Sequence, residues 1–132
     1  MTDHHIAEVG DPIRMALTAI TLDCADPEAL AAFYQQATGL EPAPGSTAEF
    51  AGLRDGDGLF LGFQRVTGYR PPDWPGQTVP QQIHLDFAVA DLDTAEARLL
   101  ALGATRPPAQ PGGDRWRVLL DPAGHPFCLT RR

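Results

Sequence analysis

Across residues 16–25 apolar Ile20, Leu22 and Cys24 alternate with Ala19, Thr21 and Asp23, the period of two that marks a strand with one greasy and one small or polar face. Asp26 and Pro27 then offer an N-cap and a first-turn proline. Leu30, Phe33, Tyr34 and Ala37 recur at helical spacing until Gly39 breaks the pattern, which predicts an amphipathic helix of about three turns. The same text is written again further along. Ile83, Leu85, Phe87 and Val89 alternate with His84, Asp86 and Ala88, Asp91 caps a second helix striped by Leu92, Ala95, Leu99 and Leu102, and Gly103 ends it. The capping aspartates stand 65 positions apart and the terminating glycines 64.

Each helix is followed by a proline-bearing turn, at 41–44 and at 105–108, and then by two strand-like runs. In the first half these are 47–53 and 59–66, joined through two Asp-Gly pairs, and in the second 114–120 and 126–130. A short strand near 41–44 and another near Thr105 complete a βαβββ unit in each half, so the chain reads as α+β with eight strands and two helices. Residues 1–14 read as a flexible tail carrying His4 and His5. Residues 15–131 read as a single domain: module one at 15–67, a proline-rich linker at 68–80 with Tyr69 and Trp74, and module two at 81–131. That linker serves either as a crossover whose aromatics cap the core or as a loop covering a ligand.

Alternation also predicts a site. If the helices cover the greasy faces, the opposite faces carry Asp23, His84, Asp86, Gln64 and Cys128 among small and apolar residues, a set too polar for a dry core. A hollow around His84 follows. His84 and Asp86 leave one strand on the same side about 7 Å apart, which suits either metal chelation or a neutral imidazole bonded to Asp86 or Gln64. Cys128 reads as a buried filler or a ligand, and Asp23 as a base or a strand-end tie. Trp116 and Arg117, adjacent in a strand, point to opposite faces.

At 132 residues with 43% hydrophobic composition, one core serves the whole chain. All ten basic residues are Arg, and the net charge of −7 repels phosphate backbones and anionic lipid, so neither nucleic acid nor a membrane is an expected partner. There is no apolar run long enough for a membrane span and no apolar core in the first residues for a secretion signal, which leads to the expectation of a cytoplasmic protein with two reduced cysteines. A nucleophile elbow, a phosphate-cradling loop, a dinucleotide fingerprint and a zinc-type cysteine pair are all missing from the sequence.

The segments 22–27, 33–34 and 39–40, Phe63-Gln64-Arg65-Val66, His84-Leu85-Asp86 and 121–129 together resemble the vicinal oxygen chelate superfamily of glyoxalase I, bleomycin-resistance proteins and extradiol dioxygenases. More narrowly they resemble its small glyoxalase-like domain proteins. The resemblance spans about residues 15–130 and implies two tandem βαβββ modules forming a half-open eight-stranded barrel, commonly as a homodimer. Family metal positions fall on Ala19, on Gly62 or Gln64, on His84 and on Cys128, of which only His84 keeps a family ligand type. The resemblance therefore implies a small-molecule-binding protein with an incomplete family metal site and binding or metal-free isomerase or lyase chemistry on a small oxygenated compound. In that role His84 is the base, Gln64 polarises a carbonyl, Asp86 sets the imidazole tautomer, and Asp23, Phe60, Tyr69, Trp74, Trp116 and Cys128 contact the ligand. The alternatives are a metal-dependent lyase, isomerase or dioxygenase with a divalent ion on His84, and a drug-sequestering binder.

Overall fold

The computed structural model describes residues 10–132, and His4 and His5 lie outside the described residues. Residues 10–18 carry no regular secondary structure. The first alternation folds as β1 (Ala19–Cys24), with Leu22 and Cys24 buried and Thr21 and Asp23 exposed. Asp26 caps α1 (Pro27–Thr38), its carboxylate accepting from the Ala29 amide at 3.2 Å, and Gly39 ends the helix at φ 76°, a left-handed value natural to glycine. Then come β2 (Glu41–Pro42), β3 (Phe50–Arg54) and β4 (Phe60–Arg65). The second copy follows as β5 (Leu85–Val89), α2 (Leu92–Leu102), β6 (Trp116–Leu120) and β7 (Pro126–Arg131). Asp91 caps α2 by accepting from the Thr94 amide at 2.8 Å.

The strands form two sheets, ordered β1-β4-β3-β2 and β5-β7-β6, in each of which the first strand runs parallel to the last of its module. Among the described residues seven strands form rather than the expected eight. The missing one, near Thr105, is a single bridge to Leu120, because Pro107 and Pro108 have no amide hydrogen to extend the ladder. Nor do the described strands close into one eight-stranded barrel, since no ladder joins the two sheets.

Side chains join the modules instead. Tyr34 of α1 stacks on Phe63 of β4 at 5.7 Å between ring centroids and meets Phe87 and Phe127 of the second sheet at 6.0 and 6.2 Å. Its hydroxyl donates to Asp121 at 2.7 Å in a fully buried bond. Asp121, 3% exposed, also accepts from the Ala123 and His125 amides, so the turn after β6 is built around this one carboxylate. Burial pushes the Asp121 carboxyl above its ordinary range against the pull of those donors, and burial, then the Asp121 charge, pushes the Tyr34 phenol up. Tyr69 of the linker donates to the Ala123 carbonyl at 2.7 Å, and His125 Nε2 lies 2.6 Å from the Asp23 carbonyl. One turn thus ties together α1, the end of β1 and the linker.

Arg117 faces α2, where it pairs with Glu96 and Asp93, while Arg106 reaches Glu96 from the following loop. Burial opposes ionisation of Glu96, but hydrogen bonds from Arg117 and Arg106 prevail and hold its carboxyl below the ordinary range. A carboxyl depressed in the folded state stabilises above its unfolded pKa and loses that contribution as pH falls through the folded value. Glu96→Gln is therefore expected to cost about 1 kcal/mol at neutral pH and to flatten the loss of stability below about pH 4. Urea melts of both proteins across acid pH measure this, and equal acid slopes would refute it.

Candidate functional site

The parallel register of β5 and β7 sets Asp86 directly across from Cys128, and His84 precedes β5 on the same face as Asp86. One donor atom from each of His84, Asp86 and Cys128 lies within 4.8 Å of the others. The His84 Nε2 to Asp86 Oδ1 distance is 3.4 Å, and both side chains are open to solvent whereas Cys128 is buried. Burial, then the Asp86 charge, pushes the Cys128 thiol up to about 11.

Pairing of β6 with β7 adds Val118 across from Cys128 and Trp116 across from Thr130, so both side chains stand on this face. Trp74 of the linker and Gln81 just after it also line this face. Together with His84, Cys128 and Pro126 these residues line a cavity of about 140 Å³. Gly112 holds Trp116 in place: a Cβ there would overlap the indole ring, so only glycine lets the backbone lie against it. Gln81 has no sequence signal of its own, lying in an irregular segment without periodicity.

Other residues named from the sequence stand elsewhere. Phe60 stacks on Phe50 at 6.1 Å, over Gly52 and Gly62, with the Arg54 guanidinium 4.9 Å above its ring. The two rings lie over Gly52 and Gly62 on the outer face of the first sheet. Gln64 is exposed at the end of β4, paired in register with Phe50 and Asp23. Asp23 borders a separate hollow of about 380 Å³ with Thr21, Arg70, Ile83 and His125. Tyr69 is bound to the 121–125 turn. The structure thus gathers His84, Asp86, Cys128, Trp74 and Trp116, and leaves Gln64, Asp23, Phe60 and Tyr69 outside their cavity. Ala19, on the outer face of β1, offers no donor atom.

An imidazole, a carboxylate and a thiol so close together fit the donor set of a borderline-soft divalent ion that keeps one position open for ligand. The glyoxalase-like domain family profile matches residues 19–130, from the first residue of β1 into the last strand. The chain belongs to the glyoxalase-like domain family. Among curated proteins, this glyoxalase-like domain is 33% identical over 108 residues to CFP32, a candidate glyoxylase, of Mycobacterium tuberculosis and of Mycobacterium bovis. Those matches take in 80% of this chain and only 40% of each relative, so the chain spans about two fifths of their length.

Among solved structures, the fosfomycin resistance protein FosX of Listeria monocytogenes shares the fold at a TM-score of 0.68 with 22% identity, covering 91% of this chain and 93% of that one. A possible glyoxalase of Bacillus cereus gives 0.66 and 21% over 89% of this chain and 99% of its own. A glyoxalase/bleomycin resistance protein/dioxygenase family enzyme of Burkholderia phytofirmans gives 0.64 and 23% over 89% and 98%. At such identities the likeness is one of fold, a scaffold that carries more than one chemistry. No described helix of this glyoxalase-like domain is long and apolar enough to cross a membrane.

Proposed function

We propose that the chain binds a small molecule in the cavity beneath Trp74 and Trp116, and that His84, Asp86 and Cys128 hold a divalent cation of the zinc type at its edge. The carrying observation is the convergence of three different donor atoms within 4.8 Å. Such a cation, when bound, supplies Lewis-acid polarisation of a ligand oxygen. The chain's own residues do the rest. Asp86 Oδ1, 3.4 Å from His84 Nε2, would serve beside it as a ligand, Cys128 would release its thiol proton to water on becoming one, and the two indoles would exclude water from the ligand's apolar side. The reading extends to isomerase or lyase chemistry on a small oxygenated compound, by a cytoplasmic homodimer with residues 15–131 as its folding unit. A second reading rests on the 3.4 Å approach of Asp86 to His84: an imidazole beside a carboxylate serves as a general base without any metal.

Cobalt(II) titration of chelator-treated protein separates the two. One equivalent should bind with a thiolate-to-cobalt charge-transfer band, Cys128→Ser should abolish the band, and His84→Ala should weaken binding by about ten-fold or more. Cobalt binding no tighter to the wild type than to a Cys128→Ser/His84→Ala double variant overturns the metal reading and leaves His84 as the base.

A further inference from the structure

The two modules differ in how well their helices fill the core. With the capping aspartates 65 positions apart, Leu30, Phe33 and Tyr34 of α1 correspond to Ala95, Arg98 and Leu99 of α2. Leu30 and Phe33 are buried, whereas Ala95 is short and Arg98 is exposed. The strands differ to match: Leu22 and Cys24 of β1 are buried, but their counterparts Phe87 and Val89 of β5 stay half-buried. Two adjoining hollows of about 250 and 540 Å³ take up the space, with Ala37, Ala88, Val89 and Leu99 as shared walls. The smaller is otherwise walled by aromatic and aliphatic groups such as Phe33, Phe87 and Phe127, and the Tyr34 and Thr38 hydroxyls at its border already donate to Asp121 and to the Tyr34 carbonyl. The larger carries Arg98 and Arg132, and its one acidic side chain, Asp91, is taken up in capping α2. Phe127 and Leu129 alternate with Cys128 along β7, so this space lies on the opposite face of the sheet from His84, Asp86 and Cys128.

We infer that this space is a second binding site, for an aliphatic monocarboxylate whose chain lies in the smaller hollow and whose carboxylate pairs with Arg98, with Arg132 beside it. Chain length follows from volume. An apolar cavity of about 150 Å³ in another protein accepts benzene, so 250 Å³ suits a chain of about eight to ten carbons. Head-group choice follows from charge: a guanidinium offers a carboxylate paired N–H donors, while an ammonium would face two like charges. The second module has thus exchanged the core-filling leucine and phenylalanine of the first for room and a cation.

Octanoate and 1-octanol, equal in chain and different in head group, are the probes, titrated calorimetrically into chelator-treated protein so that no cation competes for the carboxylate. The wild type should prefer octanoate, and Arg98→Gln should lower octanoate affinity by about five-fold while leaving octanol unchanged. Ala95→Leu, which restores the side chain of the first module, and Ala37→Leu, from the facing helix, should each fill the space and weaken both ligands by about ten-fold or more. Thermal melts control for folding, and either filled variant suffices. An octanoate preference unchanged by Arg98→Gln, octanoate bound undiminished by a folded filled variant, or a wild type that binds neither probe overturns the inference. Cobalt uptake at Cys128 should be intact in Arg98→Gln, so this site stands or falls apart from the one on the other face.

Discussion

Asp121→Ala is expected to lower stability by about 3–5 kcal/mol, read as a fall in the urea midpoint at unchanged slope. The substitution removes the acceptor of three donors at once: the Tyr34 hydroxyl and the Ala123 and His125 amides. The hydroxyl bond is fully buried and joins α1 to a turn 87 residues away, so no local rearrangement supplies a substitute. Tyr34→Phe, which deletes one donor and leaves the carboxylate its two amides, should cost about 1–3 kcal/mol. If Asp121→Ala costs no more than Tyr34→Phe, the turn is not organised by the carboxylate and its role as the tie between modules is refuted.

Phe127→Ala should cost a similar 3–5 kcal/mol by opening a cavity where the ring was. Phe127 is 2% exposed and meets Phe33 and Tyr34 of α1 and Phe87 of β5, with centroids 5.9–6.2 Å away. Its neighbours along β7, Pro126 and Cys128, point the other way into the proposed ligand cavity. Loss of the ring should therefore also reduce cobalt uptake at Cys128, although the substitution lies on the far side of the sheet. Phe50→Ala, at an exposed ring on the first sheet, should stay near 0.5 kcal/mol and leave cobalt binding intact. Equal losses in the two variants would count against a core centred on the aromatic contacts of α1.

Much of the local structure could be read before folding because its causes are local. Asp26 and Asp91 cap where their positions predict, Gly39 and Gly103 stop both helices at positive φ, and the alternations around Leu22 and Phe87 choose the faces correctly. The symmetry between the halves predicts an eighth strand near Thr105, but only a single bridge to Leu120 forms there. Pro107 and Pro108 already held the information that no ladder could continue. Gly52 and Gly62, two glycines inside strands, lie against the Phe50 and Phe60 rings, where a Cβ would collide with them.

The site was partly legible for the same reason. Parity alone places His84 and Asp86 on one side of β5, but that Asp86 faces Cys128 depends on the register between strands about 40 residues apart. Pairing of that kind is decided by the whole sheet. Trp74 of the linker and Gln81 just after it reach the cavity through irregular segments, which leave no periodic trace in the sequence.

The buried bond from Tyr34 to Asp121 has a bearing on how the repeat can be taken apart. A phenol on the first copy and a carboxylate on the second complete one another, so neither copy produced by itself has a finished interior. Melting should accordingly proceed as one event with no half-molten species, and fragments divided within the linker should gain order only when mixed.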